Sequence, residues 1–192
     1  MAVFLCLCAL GCSARDFLTR RLAAELIATS PSFKAPQQFF VHLGVISNKE
    51  YVSPEYLVLQ RRGWVTGASA PCTPQATPPP CWDVALTPIG VEIFQPLLPK
   101  DAASSQYFSV TTAQRALIAV TGISRAGNQA DVDFTWKWVP ANEVGAALVA
   151  GSLTYKSTVS FRHYDDGWRP IEGAVKANQG MDDALKTAEP AP

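Results

Sequence analysis

The sequence predicts an α+β fold with an N-terminal helix, a helix-and-wing module and a C-terminal antiparallel β-sheet. Leucines spaced four residues apart near the amino terminus indicate an amphipathic helix. Further along, a short helix precedes two strand-like segments that flank a proline-rich loop, and the last third of the chain alternates polar and apolar residues. With an apolar share of 48% in 192 residues, the chain can build a hydrophobic core.

The first twelve residues resemble an export signal. Ala2 to Leu10 form an apolar run that is too short to span a bilayer as a helix but has the length of a signal-peptide hydrophobic region. Gly11 directly before Cys12 resembles the lipobox of bacterial lipoproteins, in which signal peptidase cuts before a cysteine that then carries diacylglycerol. The resemblance implies that residues 1–11 are a signal peptide and that Cys12 is lipidated.

This resemblance implies that the mature protein lies in the periplasm of the cell envelope and is anchored to a membrane by its lipid. The outer membrane is one membrane that could hold the anchor. Two alternatives stay open. One is plain secretion without a lipid. The other is a cytosolic protein whose amino terminus is an ordinary apolar helix or strand.

The predicted N-terminal helix covers Ser13 to Thr29, because leucines recur every four residues from Leu18 to Leu26 and Ser30-Pro31 provides a stop. A strand is predicted next, from Gln38 to Ile46, since this segment is rich in β-branched and aromatic residues.

The helix-and-wing module has the clearest local signals. Ser53 is a predicted N-cap, Pro54 suits the first helical position and Gly63 can end the helix. Short strands are predicted at 64–66 and 82–86, on either side of the proline-rich loop. Thr87-Pro88 then begins a second helix that continues to Phe94.

Part of this module resembles bacterial winged-helix regulators. In those proteins a leucine-rich helix is followed by a glycine, an apolar strand, a wing and the motif Leu-Thr-Pro-x-Gly. The matching segments here are Tyr56–Val65 and Val84–Gly90. The resemblance covers residues 53–94 and implies a similar shape. DNA affinity in such regulators comes largely from basic side chains that contact phosphates. Here Arg61 and Arg62 are the basic residues of the helix and the wing is uncharged, so nucleic acid is not the expected partner.

A disulfide between Cys72 and Cys81 is the second specific prediction. Once residues 1–11 are removed and Cys12 serves as the anchor, these two cysteines remain as an even pair. Their bond would close a short loop, stabilise the fold by roughly 2 to 3 kcal/mol and persist in an oxidising compartment. The alternative is a pair of free thiols. No metal site is expected, since neither His42 nor His163 lies near the pair in the sequence.

After a polar linker at 99–105, the period changes to two. Strands are predicted at 116–123, 131–138 and 153–162, followed by a tight turn at Asp165-Asp166-Gly167 and a short returning strand from Trp168. The predicted modules are 12–98, with the helix and the winged-helix-like part, and 106–175, with the antiparallel sheet. Residues 176–192 are predicted to be a frayed tail with one weak helical turn.

Candidate chemistry is sparse. The Asp165-Asp166 pair could serve acid-base or metal chemistry, but Asp-Gly at a hairpin has a structural explanation. Ser124 and His163 could suggest a hydrolase, yet the glycine spacing around Ser124 does not match a nucleophile elbow. His42 and His163 are each interpreted as ordinary strand residues. The tryptophans could line a ligand pocket, and core packing explains them at least as well.

We therefore expect no catalytic residue, no cofactor and no metal, and the ligand-binding residues are unknown. Sixteen basic and sixteen acidic residues cancel, which gives no electrostatic signature for nucleic acid or an anionic membrane. The sequence favours a non-enzymatic, lipid-anchored envelope protein that binds another envelope protein or a small apolar ligand, or has a structural role. Its alternatives are a winged-helix nucleic-acid-binding protein with a misread amino terminus, and a small hydrolase that uses the acidic turn.

Overall fold

The computed structural model describes residues 17–74, 78–98, 106–149, 151, 153–173 and 178–191. Helices are combined with antiparallel sheets, as predicted, and strands make up the larger share. Residues 1–16, which include Cys12, and the predicted linker 99–105 lie outside the described residues.

The helices are α1 (Arg20–Thr29), α2 (Pro31–Lys34), α3 (Asn48–Tyr51), α4 (Pro54–Arg61), α5 (Pro88–Phe94), α6 (Glu143–Leu148) and α7 (Met181–Lys186), with a 3-10 turn at Gln95–Leu97. The strands are β1 (Gln37–His42), β2 (Gly44–Ser47), β3 (Val65–Ala70), β4 (Cys81–Leu86), β5 (Tyr107–Ala126), β6 (Gln129–Pro140), β7 (Thr154–Tyr164), β8 (Gly167–Pro170) and β9 (Glu189–Pro190).

Two compact units are formed, each from segments that are distant in the chain. Of the described residues, the first unit takes in 17–34, 117–136 and 154–191, and the second takes in 35–116, 137–149, 151 and 153. The long strands β5 and β6 each contribute residues to both units. The modules predicted above are consecutive stretches instead, and their boundaries stay a prediction.

In the first unit the sheet order is β5-β6-β7-β8, and β9 pairs with β7. Alternate residues of β6 face the core: Val132 and Phe134 are fully buried and Trp136 is 2% exposed. The ring of Phe33, from α2, packs edge-on against Phe134 with centroids 6.2 Å apart. The period of two read from the sequence therefore corresponds to a real buried face.

In the second unit β1 pairs with the first part of β5, and a separate three-stranded sheet has the order β2-β4-β3. Helices α4 and α5 share a buried cluster with these strands. Its members include Val41, Ile46, Tyr56, Leu59, Trp64, Val65, Val84, Phe94, Phe108, Val110 and Val144.

The cap predicted for α4 is present, and α5 begins at the predicted Thr87-Pro88. The side chain of Ser53 accepts a hydrogen bond from the Tyr56 backbone N–H, and that of Thr87 accepts one from Gly90 at 3.0 Å. Gly63 follows α4 with φ +69°, a left-handed conformation that favours glycine. Both helices are thus determined by local sequence.

Two predicted boundaries are wrong. The expected strand over 38–46 is two strands in different sheets, because Gly44 has φ +79° and turns the chain between β1 and β2. Among the described residues of the expected 13–29 helix, the helix begins at Arg20, where Thr19 is the N-cap and its side chain accepts from the Leu22 N–H at 3.1 Å.

The helical turn predicted for the tail is present, but the described residues 178–191 are packed and not frayed. This segment forms α7 and β9, and Met181 and Ala184 of α7 are fully buried. The segment is polar on average, so its composition did not indicate that the flexible Met181 and the small Ala184 would pack against the sheet. The terminal segment is thus part of the first unit's packing.

Candidate functional site

The predicted disulfide is present. Cys72 and Cys81 are bonded, with their Cα atoms 5.2 Å apart, and they close the loop between β3 and β4. Cys81 begins β4 and is only 1% exposed. The other predicted site residue, Cys12, lies outside the described residues, so lipidation stays a prediction.

The acidic pair lies in the predicted turn. Asp165, Asp166 and Gly167 join β7 to β8, and Gly167 has φ +123°. Asp166 forms a surface ion pair with Arg169. Both aspartates line an open groove of about 610 Å³. The turn explains the position of both aspartates, and the ion pair engages the carboxylate of Asp166.

Ser124 and His163 are not brought together by any contact among the described residues. Ser124 lies on β5 and lines a small cleft of about 140 Å³ beside Asp131, whose carboxylate accepts from Ser160 at 2.7 Å. His163 lies on β7, with its ring 5.0 Å from that of Trp168. Neither arrangement resembles a nucleophile next to its base.

Within the described part of the chain, no group of three or more His, Cys, Asp or Glu side chains is placed to hold a metal ion. In the same residues, no helix is both long and apolar enough to cross a membrane.

Four of the five tryptophans have packing contacts. Trp64, Trp136 and Trp168 are each at most 3% exposed. Trp82 stacks on Tyr51 at 4.6 Å, where the tryptophan N–H also donates to the Asn48 side chain. None of the five clefts described in this part of the chain is lined by a tryptophan.

A surface that sequence reasoning did not single out lies on β1 and the start of β5. We call Phe40, His42 and Tyr107 the aromatic surface. The rings of Phe40 and Tyr107 stack at 5.9 Å with an interplanar angle of 15°, and His42 meets Tyr107 edge-on at 5.5 Å. Phe40 and Tyr107 are 53% and 56% exposed. Two large aromatic rings are thus more than half exposed side by side on one face of the sheet.

The aromatic surface is held in place from behind by Tyr56 of α4. Its hydroxyl donates to the His42 carbonyl oxygen at 2.8 Å and accepts from the His42 N–H at 2.7 Å. Burial raises the pKa of Tyr56 to about 12, with the hydrogen bond from His42 acting against the shift and the charge of Glu50 adding to it. Tyr56 is therefore a protonated structural hydroxyl at neutral pH.

The polar edge of this surface is a contact between His42 Nδ1 and Glu50 Oε1 at 3.3 Å. Both side chains are about one-third exposed. Flat exposed rings with a polar edge suit the binding of a partner. The sequence carried one local signal, the alternation of Phe40 and His42 on a strand, but Tyr107 comes from a distant part of the chain.

Comparison of this chain with protein-family models, with curated proteins and with solved structures finds no match.

Proposed function

We propose that this protein is an exported lipoprotein of the bacterial cell envelope, anchored by a lipid on Cys12, and that its globular part binds a partner protein. The proposal joins the lipobox-like Gly11-Cys12 pair to the described disulfide and to the aromatic surface.

The disulfide carries the proposal. Cys72 and Cys81 are bonded across a nine-residue separation, and the bond joins the beginning of the loop to the first residue of a paired strand. Such bonds persist in the periplasm and are rare in the reducing cytosol. With these two residues paired and Cys6 and Cys8 in the predicted signal peptide, Cys12 is the cysteine left for lipid attachment.

The aromatic surface supports a binding role. Its two stacked rings come from β1, the terminal strand of its sheet order, and from the first residue of β5. Phe40 is flanked by the side chain of Gln38, which donates to Thr111 Oγ1 at 2.9 Å. An aromatic centre with a polar rim is the usual composition of a protein-binding patch. An envelope protein is accordingly the partner class we propose.

Metabolic labelling with a palmitate analogue in the native host, combined with the intact mass of the mature protein, tests the anchor. We expect label and a diacylglycerol mass increment on wild type, loss of both in Cys12→Ala, and retention of both in the matched variant Cys72→Ser. An unlabelled wild-type protein that retains residues 1–11 would contradict the proposal.

The second candidate function is nucleic-acid binding by a winged-helix-like module. The observation in its favour is the pairing of the strands. Strands β3 and β4 are antiparallel with the disulfide loop between them, α4 precedes them, and β2 completes the sheet. Nucleic-acid binding would need basic groups on α4 or the loop, where Arg61 and Arg62 are the cations of the helix. Cytosolic fractionation together with salt-dependent DNA binding would favour this function over the envelope role.

The small-hydrolase alternative uses the acidic turn that contains Asp165 and Asp166. It predicts that Asp165→Asn abolishes an activity found by screening ester, amide and glycoside substrates. An activity that survives in Asp165→Asn would exclude the acidic turn as its site.

A further inference from the structure

A cationic and aromatic surface lies where the described chain begins. Phe17, the first described residue, is 56% exposed. The guanidinium carbon of Arg125 lies 5.8 Å from the centre of its ring and 5.0 Å from that of Trp168. Arg20, at the start of α1, donates to the carbonyl oxygen of Thr121 at 3.2 Å, and Thr121 lies on β5 four residues before Arg125. We call Phe17, Arg20 and Arg125 the basal surface.

The basal surface carries two cations that are not neutralised by a salt bridge among the described residues. Glu25, the acidic residue of α1, pairs instead with Arg21 at 3.1 Å. Arg20 and Arg125 each donate to a backbone carbonyl oxygen, and Arg125 also lies over aromatic rings; these contacts leave the positive charge in place. A negatively charged ligand is thus the complementary partner.

The short segment between Cys12 and Phe17 limits how far the basal surface can lie from a lipid attached to Cys12. Five Cα-to-Cα steps separate Cys12 from Phe17 in the sequence, so their Cα atoms can be at most about 19 Å apart. A diacylglycerol on Cys12 would insert its acyl chains in the bilayer. The basal surface would then be held next to phospholipid headgroups at high local concentration.

We propose that the basal surface contacts the membrane, with Arg20 and Arg125 binding the phosphates of anionic phospholipid and Phe17 lying at the headgroup boundary. This inference rests on the proposed lipidation of Cys12. Aromatic side chains favour that boundary, and each arginine near an anionic bilayer strengthens binding about fivefold. The first unit would therefore keep one defined face toward the membrane.

Quenching of tryptophan fluorescence by lipids with a headgroup-proximal spin label tests the contact. The lipidated full-length protein is reconstituted in two kinds of vesicle. Phosphatidylethanolamine alone gives a neutral surface, and the addition of about 30% phosphatidylglycerol gives an anionic one. The reporters are Phe17→Trp and, as a matched control, Tyr164→Trp, which replaces an aromatic that is 45% exposed in the same unit.

We expect the added fluorescence of Phe17→Trp to be quenched at least twofold more than that of Tyr164→Trp, with the difference growing when phosphatidylglycerol is present. In the Phe17→Trp background, Arg20→Gln with Arg125→Gln should remove the dependence on phosphatidylglycerol. Arg162→Gln is the matched control, because Arg162 is also exposed and lies over an aromatic ring, that of Tyr164 at 6.0 Å. Circular dichroism verifies the fold of each variant.

Equal quenching of the two reporters in acylated protein would overturn the membrane contact and leave the anchor intact. An equal effect of Arg162→Gln would overturn the role of the basal arginines. If intact mass shows no acyl chain on Cys12, the anchor and the membrane contact fail together. The mass measurement thus separates failure of the proposed function from failure of this inference.

Discussion

The hydroxyl oxygen of Tyr56 lies 2.7 Å from the backbone nitrogen of His42 and 2.8 Å from its carbonyl oxygen. One side chain of α4 thereby satisfies both outward-facing backbone groups at the end of β1, where a neighbouring strand would otherwise do so. Because β1 ends the strand order of its sheet, this contact also closes part of an edge that another chain could pair with.

Tyr56→Phe should lower the free energy of unfolding by about 1 to 3 kcal/mol, since it leaves the His42 N–H and C=O without their partner while keeping the ring. Urea denaturation followed by circular dichroism measures the change. Tyr164→Phe is the control, because Tyr164 is 45% exposed, and it should be neutral. A loss below about 0.5 kcal/mol for Tyr56→Phe would mean that water replaces the hydroxyl.

Stability should fall between about pH 10 and 12. The folded-state pKa of Tyr56 is raised to about 12 from an ordinary value of 10.0, so the folded state retains the proton that the unfolded chain loses first. The contribution of this group is fully present below pH 10 and disappears as the pH passes 12, a loss of roughly 2 to 3 kcal/mol. Denaturation midpoints of wild type and Tyr56→Phe should converge over this range, and parallel curves would contradict the assignment.

Removing the Cys72–Cys81 bond should cost roughly 2 to 3 kcal/mol, because a loop of about ten residues regains conformational freedom in the unfolded chain. The double variant Cys72→Ser with Cys81→Ser should melt at a lower temperature than the wild type. Reductant should lower the wild-type melting temperature to a similar value and leave the double variant unchanged. Sensitivity of the double variant to reductant would locate the effect elsewhere.

Gly90→Ala should destabilise the second unit strongly. A Cβ at Gly90 would overlap the carbonyl oxygen of Trp64, a backbone atom that also accepts from the Thr87 N–H at 3.0 Å. Relief requires backbone movement, for which we expect a cost of about 1 to 3 kcal/mol or more. Gly173→Ala is the matched control, since a Cβ there meets nothing within 4 Å. Thermal melts that give equal shifts for both variants would contradict this explanation.

The sequence predicted those elements whose signals are local. Ser53 and Thr87 cap the helices that follow them, because each hydroxyl bonds an N–H three residues later. The period of two in β6 predicted its buried face, since side chains of a strand alternate by geometry. Cysteine counting predicted the pairing of Cys72 with Cys81, as only one pair remains if the predicted leader and Cys12 are set aside.

Tertiary structure decided the features that depend on distant residues. Tyr107 meets Phe40 only because β1 pairs with β5, and no local pattern relates the two. Gly90 shows the division most clearly. Its place in Leu-Thr-Pro-x-Gly was readable in the sequence. The reason for glycine is that a Cβ would meet the Trp64 carbonyl oxygen, and this exists only once α5 lies against the residue that precedes β3.

The same physics governs the carboxyl-terminal segment. By composition residues 178–191 are polar, yet Met181 and Ala184 are buried, because burial depends on the surface that a helix meets and not on its own mean hydropathy. The sequence by itself determined the capped helices, the alternating strands and the disulfide, whose causes lie within a few residues or in simple counting. The aromatic surface, the basal surface and the packed terminus required the fold, because each brings together side chains that the chain order keeps apart.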